Sequence, residues 1–459
     1  MSSRRPSRQT VKSIDSLRHE NIFGGLVIGD TWVVMAIAHA DRMGHVLPIR
    51  LRRAFFDATP GEVPPLGPIE QAIEECWNTM GGGHEYTYSR FLLCMPPGLT
   101  TSRRVTCTLS THPAGAFRPA RSTVTSRHVR ECENRLCRDG IRPHWAVADL
   151  VPIDFTLDGN RHTTSPVGRQ SDTLAAEAHL VLTDQEIARR TMDVLNTLGI
   201  RVDTMTSAQC AAAGNLAPSE RVRETVLIDI DRQTTSCAFF DRDRVAHTDW
   251  FDGGAYEVLE GAAERLGTAP ERLALWLNER EGIKLPCPGE DFNLPLCPAF
   301  SSGGISLVDL DLAARKAARG IADNVQRCID DARRKCGTEP RRAVLCGDDV
   351  LTARSLMSVL YQRGLICEWR SAADTRTEQA AHLSVPGVHR LMGMMKTAAA
   401  HRTRQPYPEA YNEALFGRVS AGLTAKVRGT HEPRRDAKDA RTKPRPRPRL
   451  AGALNSVLF

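Results

Sequence analysis

Residues 25–38 read G-L-V-I-G-D-T-W-V-V-M-A-I-A, and residues 226–240 repeat the pattern as V-L-I-D-I-D-R-Q-T-T-S-C-A-F-F. In each stretch two apolar runs flank a short polar turn, which predicts a buried strand, a tight turn and a second strand. Strands alternate with amphipathic helices through the rest of the chain. We therefore predict an α/β fold with a mixed sheet.

This strand–turn–strand unit occurs in both halves of the chain, which implies two α/β lobes that face a cleft, as in the actin/Hsp70-type fold. Between the repeats, residues 105–164 have a different pattern, with short strands around a helix that we expect at 125–139 with Ser126 as its cap. These residues predict an α+β subdomain inserted into the first lobe. Further helices are predicted at 69–80, 184–198, 255–266, 270–280, 307–336 and 351–363.

The positive charge of the chain is concentrated at its C-terminal end. The formal net charge is +7, but residues 401–459 carry 13 Lys and Arg against 5 Asp and Glu, whereas residues 1–400 carry 48 against 49. A nearly neutral body argues against nucleic acid as a partner, and a basic tail favours an anionic surface. The 13 cysteines lack any C-x-x-C pair, which predicts reduced, cytosolic thiols and no zinc site.

Residues 441–459 form a basic, proline-rich stretch followed by ten uncharged and mostly apolar residues. In a helix the large apolar residues would share one face, and ten residues span about 15 Å, too short to cross a bilayer. We predict an amphipathic membrane-targeting helix at 450–459 behind a flexible linker. A frayed terminus and a peptide that docks into a partner's groove are the alternatives. The residues predicted to bind the membrane are Arg445, Arg447, Arg449, Leu450, Leu454, Val457, Leu458 and Phe459.

Several short motifs follow one another in a characteristic order. They include V-P-I-D-F at 151–155, L-G-I-R-V-D at 198–203, G-G at 253–254 and L-G-T at 266–268. In order and spacing they resemble the family of the bacterial cell-division protein FtsA, an actin-like membrane tether. The resemblance covers about residues 25–400, and the tail resembles the amphipathic membrane helix of that family.

The resemblance implies a division of the chain into named subdomains. Residues 1–20 are expected to form a disordered arm, and the actin-like subdomains follow it. The implied boundaries are 21–95 for the first part of subdomain 1A, 96–165 for the inserted subdomain 1C, 166–222 for the second part of 1A, 223–250 for the first part of 2A, 251–335 for 2B, 336–384 for the second part of 2A, 385–400 for a closing element of 1A, 401–449 for a basic Pro/Arg linker and 450–459 for the membrane helix.

The resemblance also implies a function. The protein would lie on the inner face of the cytoplasmic membrane at the division site, tether filaments of the tubulin-like protein FtsZ and recruit later division proteins. The implied partners are the FtsZ C-terminal peptide at subdomain 2B, other FtsA-like protomers and downstream division proteins at subdomain 1C, and an anionic membrane surface. The alternatives are an actin-like inner-membrane platform of the type IV pilus and a sugar-kinase-like or Hsp70-like ATPase.

The nucleotide site is where the sequence departs from the family. Actin-like ATPases surround phosphates with glycine-rich turns and hold Mg²⁺ through carboxylates. Here the three glycines of the second turn are replaced by Asp231, Arg232 and Gln233, and Asp30 stands at a hydroxyl position of the first. Two interpretations remain: weak binding of ATP and Mg²⁺, or a pseudo-ATPase that keeps the fold without the nucleotide. The residues implied for nucleotide binding are Gly29, Asp229, Thr234, Gly253, Gly254 and Gly347.

Other catalytic signatures are missing from the sequence, which contains no G-x-S-x-G, H-E-x-x-H or P-loop motif. We therefore name no catalytic residue and no metal ligand. At most we expect a weak ATPase.

Overall fold

The computed structural model describes residues 22–40, 46–58, 66–81, 90–112, 122–278, 307–347, 349–370 and 387–400. All of them belong to the first of the two units into which the chain divides, Met1–Phe416. The predicted arm at 1–20, the linker at 401–449 and the membrane helix at 450–459 lie outside the described residues. None of the described helices combines the length and apolar character that crossing a bilayer requires.

The first lobe is built on a five-stranded sheet. The predicted unit at 25–38 is an antiparallel pair whose residues face each other in register, from Ile22 opposite His39 to Ile28 opposite Val33. The parallel neighbour pairs Val27 with Cys94. The strands are β1 (Ile22–Ile28), β2 (Trp32–Ala40), β3 (Val46–Phe55), β4 (Arg90–Met95) and β9 (Thr204–Ser207), in the order β3-β2-β1-β4-β9.

The second lobe repeats this arrangement. Its strands are β10 (Thr225–Ile230), β11 (Thr234–Asp241), β12 (Arg244–Asp252), β13 (Arg342–Cys346) and β14 (Ile366–Arg370), in the order β12-β11-β10-β13-β14. Each sheet therefore has an antiparallel meander on one side of its first strand and parallel strands on the other. The repetition confirms the two-lobed actin/Hsp70-type α/β fold predicted from the sequence.

A third sheet forms the inserted module between β4 and β9. It contains β5 (Thr100–Ser110), β6 (Trp145–Leu157), β7 (Arg161–Thr163) and β8 (Thr173–Asp184), in the order β5-β8-β6-β7. Because β8 pairs with both β5 and β6, the module extends past residue 165, and the boundary predicted there is wrong. The alternation of apolar and polar residues in β8 is typical of a strand, but it does not indicate which strands pair with it.

Helix α2 (Ser126–Gly140) covers this third sheet. Its N-cap is Thr125, whose hydroxyl accepts a hydrogen bond from the His128 amide. The predicted cap, Ser126, is the first helical residue instead. Both residues carry a hydroxyl, and the extended backbone of Thr125, which decides the cap, is not visible in the sequence.

The remaining helices lie against the two main sheets. In the first lobe, α1 and α3 pack on one face of the sheet and α4 and α9 on the other. In the second lobe, the long helix α7 packs against α5 and α8. The bounds are α1 (Leu66–Thr79), α3 (Gln185–Thr197), α4 (Ala208–Ala213), α5 (Ala255–Arg265), α6 (Pro270–Asn278), α7 (Leu307–Cys336), α8 (Val350–Gln362) and α9 (Val388–Ala400).

Helix α9 returns from the end of the described chain to the first lobe. Its apolar residues complete a core with β1, β2 and β4, in which Leu391 and Met395 are fully buried. It crosses α4 so closely that a Cβ atom on Gly393 would lie 2.0 Å from the Ala211 carbonyl oxygen. The packing thus depends on a glycine at the crossing point.

The inserted module also touches the second lobe. The Thr248 hydroxyl of β12 lies 2.8 Å from the Ser102 hydroxyl of β5. Arg242, in the turn between β11 and β12, forms an ion pair of 2.5 Å with Asp154 of β6. The module is therefore inserted in the chain of the first lobe and also forms bonds with the second lobe.

Candidate functional site

Two turns at equivalent positions in the two sheets face each other across the cleft between the lobes. The first turn, residues 29–31, joins β1 to β2, and the second, residues 231–233, joins β10 to β11. A backbone hydrogen bond closes each turn, at 2.8 and 2.9 Å respectively. The first residues of α9 form a third side. This cleft between the two turns and α9 is the candidate site.

Asp30 links the two turns. Its Oδ2 atom accepts hydrogen bonds from the backbone N–H groups of Gln233, at 2.5 Å, and Thr234, at 3.2 Å. Asp30 is only 6% exposed. Successive N–H groups that converge on one point form an anion-binding concavity. A carboxyl oxygen of the first lobe thus occupies an anion-binding turn of the second lobe.

Arg390 makes the second link between the lobes. Its Nε atom donates to Oδ2 of Asp229 and its Nη1 atom to Oδ2 of Asp231, both at 2.7 Å. His389 Nε2 lies 2.7 Å from the other oxygen of Asp229. Arg390 and Asp229 are each 1% exposed. A first-lobe helix therefore places its guanidinium between two buried carboxylates of the second lobe.

Trp32 fills the space beside these ion pairs. Its indole Nε1 donates to Oδ1 of Asp231 at 2.8 Å, and one of its rings lies 5.5 Å from the Arg390 guanidinium carbon. Two glycines make room for the ring, since a Cβ atom would lie 2.1 Å from it at Gly29 and 1.9 Å from it at Gly387. Gly387 also has a φ of +80°, which favours glycine.

Burial and charge shift the ionisation of these groups in opposite directions. Burial, followed by the nearby Asp231 carboxylate, raises the pKa of Asp30 to about 8. Burial also disfavours the charged form of Asp229, but the attraction of Arg390 and His389 outweighs it and holds the pKa of Asp229 below its ordinary value. Burial would lower the pKa of Arg390, yet Asp229 and Asp231 raise it well above its ordinary value. The cleft therefore holds Asp229 and Arg390 as a charged pair beside a mainly neutral Asp30 at pH 7.

The structure brings the six sequence-predicted residues together around the second turn. Asp229 and Thr234 flank it, and Gly29 closes the first turn opposite. Gly253 and Gly254 approach it from the start of α5; a Cβ on Gly254 would lie 2.4 Å from the Asp231 carbonyl oxygen. Gly347, with a φ of +143°, approaches the Ile230 carbonyl from the end of β13. A role of these residues in nucleotide binding stays a prediction.

A bound magnesium nucleotide would need hydrogen-bond donors for its phosphates and carboxylate oxygens for its metal ion. A phosphate in the second turn would require the N–H groups that Asp30 already engages. A hydrated Mg²⁺ beside Asp229 would require carboxylate oxygens that Arg390 and His389 engage. The residues present therefore do not fit that ligand unless Asp30 and Arg390 move away.

Three residues of the cleft were missed by sequence reasoning: Trp32, His389 and Arg390. The sequence pattern predicts only a strand at Trp32, and the family resemblance implies only a closing element at 385–400. A signal existed, because Arg390 lies in a mostly apolar segment, with Val388 before it and Leu391 and Met392 after it, that becomes α9. Charged residues are seldom fully buried unless they are paired, so an arginine on a core helix predicts a buried acidic partner.

A second group of polar side chains lies between β12 and α7. Within the described ranges, His247, Asp249 and Asp331 offer metal-ligand atoms that lie within 4.8 Å of one another. Asp331 also forms ion pairs with Lys335 and Arg334. Burial lowers the pKa of His247. The group is therefore explained as a network of ion pairs around Asp331.

The chain is similar in sequence to cell-division proteins. Cell division protein FtsA of Agrobacterium fabrum is 25% identical over 180 residues, which cover 37% of this chain and 41% of that protein. FtsA of Escherichia coli K12 is 23% identical over 148 residues, covering 32% and 35%. The matches thus span less than half of these relatives. No protein-family model matches the chain.

The fold is similar to that of a solved pilus protein. A chain of the PilM–PilN type IV pilus biogenesis complex superposes with a TM-score of 0.50 at 12% identity, covering 82% of this chain and 98% of that one. At that identity the likeness concerns the fold alone. Together with the FtsA matches, it supports an actin-like, FtsA-related protein.

Proposed function

We propose that this protein is an FtsA-like tether that holds FtsZ filaments at the inner face of the cytoplasmic membrane and recruits later division proteins. The proposal is supported by the sequence matches to FtsA and by the ion pairs that close the cleft between the lobes. Asp229 and Asp231 each accept a hydrogen bond from Arg390, so the three side chains are engaged in joining the lobes. A general base for ATP hydrolysis would need a carboxylate within reach of the attacking water. Function is then expected at the outer surfaces and the tail.

Two surfaces serve partners in this proposal. Subdomain 2B, residues 251–335, would bind the C-terminal peptide of FtsZ. The inserted module would serve self-association and downstream division proteins. Its exposed features include Val167, which is 52% exposed. Both assignments rest on the family resemblance and on the position of the module outside the two main sheets.

The tail would supply the membrane contact. Each Lys or Arg near an anionic bilayer contributes about 1 kcal/mol, and the apolar face of 450–459 adds partial burial of large side chains. Ordering the peptide opposes part of this gain, so a single anchor would be reversible. Association of many protomers would raise the avidity by about 10²–10⁴. The proposal thus links self-association to stable membrane attachment.

A vesicle-pelleting experiment tests the proposal. Purified FtsZ filaments are mixed with vesicles of phosphatidylglycerol and phosphatidylethanolamine and with either the full chain or a chain that lacks residues 450–459. We expect the full chain to carry FtsZ into the pellet and the truncated chain to leave it in solution. Asn455→Gln, which keeps the apolar face, is the matched control. Equal pelleting by both chains would refute the tail as anchor, and failure of the full chain to carry FtsZ would refute the tether.

The pilus-platform function is the second candidate, because a chain from the PilM–PilN complex shares the fold over 98% of its length. A fluorescent fusion of the full chain in dividing cells separates the two functions. A band at midcell that requires FtsZ supports the tether. Foci at sites of pilus assembly that persist without FtsZ support the platform.

A further inference from the structure

We infer that two side chains of the protein stand in the cleft where a magnesium nucleotide would otherwise bind. The carboxyl group of Asp30 occupies the anion-binding turn of the second lobe, and the guanidinium of Arg390 occupies the cation position beside Asp229. The lobes are therefore joined without magnesium nucleotide. This inference goes beyond the proposed tether function and does not depend on it.

The backbone N–H groups of the second turn already have an acceptor. The N–H groups of Gln233 and Thr234 point to one oxygen of Asp30, although these residues are 203 and 204 positions away in sequence. A buried N–H group without an acceptor is unfavourable. With Asp30 in place both groups have an acceptor before any anion binds. An incoming phosphate would have to replace a bond that already exists.

Three carboxyl groups and the guanidinium of Arg390 lie together in the cleft. Asp30, Asp229 and Asp231 are all buried, and three neighbouring carboxyl groups require positive charge or protons. Arg390 bonds Asp229 and Asp231 at once, and its position on α9 is fixed by the core of the first lobe. A divalent cation would face this fixed guanidinium at close range. The repulsion would disfavour binding of the metal.

Trp32 packs between the first turn and the start of α9. The side chain is 2% exposed, lies against Gly29 and Gly387 and hydrogen-bonds to Asp231. It therefore closes the space between the first turn and the start of α9. A nucleotide phosphate chain could not enter there unless the indole moved and its hydrogen bond broke. Three independent features thus oppose the same ligand.

Hydrogen exchange and calorimetry test the inference on the full chain. The backbone amides of Gln233 and Thr234 should be protected in nucleotide-free protein and unchanged by Mg·ATP. Calorimetric titration should detect no binding with a Kd below about 1 mM. In Asp30→Ala both amides should exchange at least about tenfold faster. Asp30→Asn is the matched control, because its amide oxygen still accepts hydrogen bonds and should preserve the protection.

Three results would overturn the inference. The first is that the amides of Gln233 and Thr234 exchange as fast as an exposed loop in the wild-type protein. The second is a micromolar Kd for Mg·ATP. The third is that both amides stay protected in Asp30→Ala. If Asp30→Ala does not fold, the wild-type measurements and Asp30→Asn still decide the question. A negative result in the vesicle experiment would leave these measurements unaffected. The proposed tether function and the inference about the cleft can therefore be refuted separately.

Discussion

The Nη1 atom of Arg390 lies 2.7 Å from Oδ2 of Asp231, and this contact joins a helix of the first lobe to a turn of the second. The same guanidinium also holds Asp229. Both bonds are shielded from water, because Arg390 is 1% exposed. The two lobes therefore share one buried cation, and this sharing leads to the first prediction.

Replacing Arg390 by Met should destabilise the protein strongly. The change keeps much of the side-chain volume but leaves Asp229 and Asp231 buried without their shared cation, which typically costs about 3–5 kcal/mol. The measurement is the free energy of unfolding in urea. Arg135→Met, which removes a surface ion pair with Glu131 on α2, is the control and should leave the midpoint unchanged. Equal effects of the two substitutions would show that the cleft pair is not buried in solution.

Asp30 should make the stability of the protein depend on pH. Its pKa in the folded state is about 8, against an ordinary value of 3.8. The charged groups that act on it are the Asp231 carboxylate, which raises its pKa, and the Arg390 guanidinium, which lowers it. Between the two pKa values only the folded state keeps the proton, so this contribution is complete below about pH 4 and is lost as the pH rises toward 8.

Asp30→Asn tests this dependence, because asparagine resembles the protonated acid but does not titrate. Relative to the wild type, the variant should gain about 1.4 kcal/mol of unfolding free energy for each pH unit between about pH 5 and pH 7. The measurement is urea unfolding of both proteins across that range. A difference that stays constant with pH would show that Asp30 is ionised in the folded protein.

Gly254 should not tolerate a side chain. A Cβ atom there would lie 2.4 Å from the Asp231 carbonyl oxygen and 2.8 Å from backbone atoms of Arg232, so Gly254→Ala should cost about 1–3 kcal/mol through overpacking. Gly67→Ala in α1 is the matched control. Among the residues that the structure describes, no atom lies within 4 Å of its Cβ position, and alanine should stabilise the helix by up to about 1 kcal/mol. Thermal unfolding of both variants measures the contrast, and a neutral Gly254→Ala would contradict the close approach.

The contact between the inserted module and the second lobe should appear as an energetic coupling. Ser102→Ala and Thr248→Val each remove one hydroxyl of the 2.8 Å bond. A double-mutant cycle should give a coupling of about 0.5–1.5 kcal/mol. The control cycle combines Thr248→Val with Thr79→Val, whose hydroxyl bonds within α1, and should be additive. Additivity in both cycles would mean that the Ser102–Thr248 hydrogen bond does not form in solution.

The lobes could be predicted from sequence because their signals are local. The turns at 29–31 and 231–233 lie between apolar runs, and every strand of those two hairpins was found where the pattern predicted it. The partners of β8 could not be predicted in this way. A strand's alternation indicates which residues share a face, whereas its neighbours depend on segments far away in the chain.

The cleft contacts could be predicted only in part. Asp229 and Thr234 were identified because they match a family motif, and the replacement of three glycines by 231–233 was visible in the sequence. The role of Arg390 was not visible in the sequence, because its carboxylate partners lie 161 and 159 positions away. Such pairs are brought together by the packing of α9 on the first lobe, and local patterns carry no information about that packing.

The position of α9 also has a consequence for synthesis of the protein on the ribosome. The first lobe begins with β1 at Ile22, yet one face of its sheet is covered by α9, which starts at Val388. Nascent chains shorter than this would expose the apolar residues of that face, including Phe23 and Val34. The first lobe is therefore expected to finish folding after the second has emerged, and chaperones would encounter its uncovered face during translation.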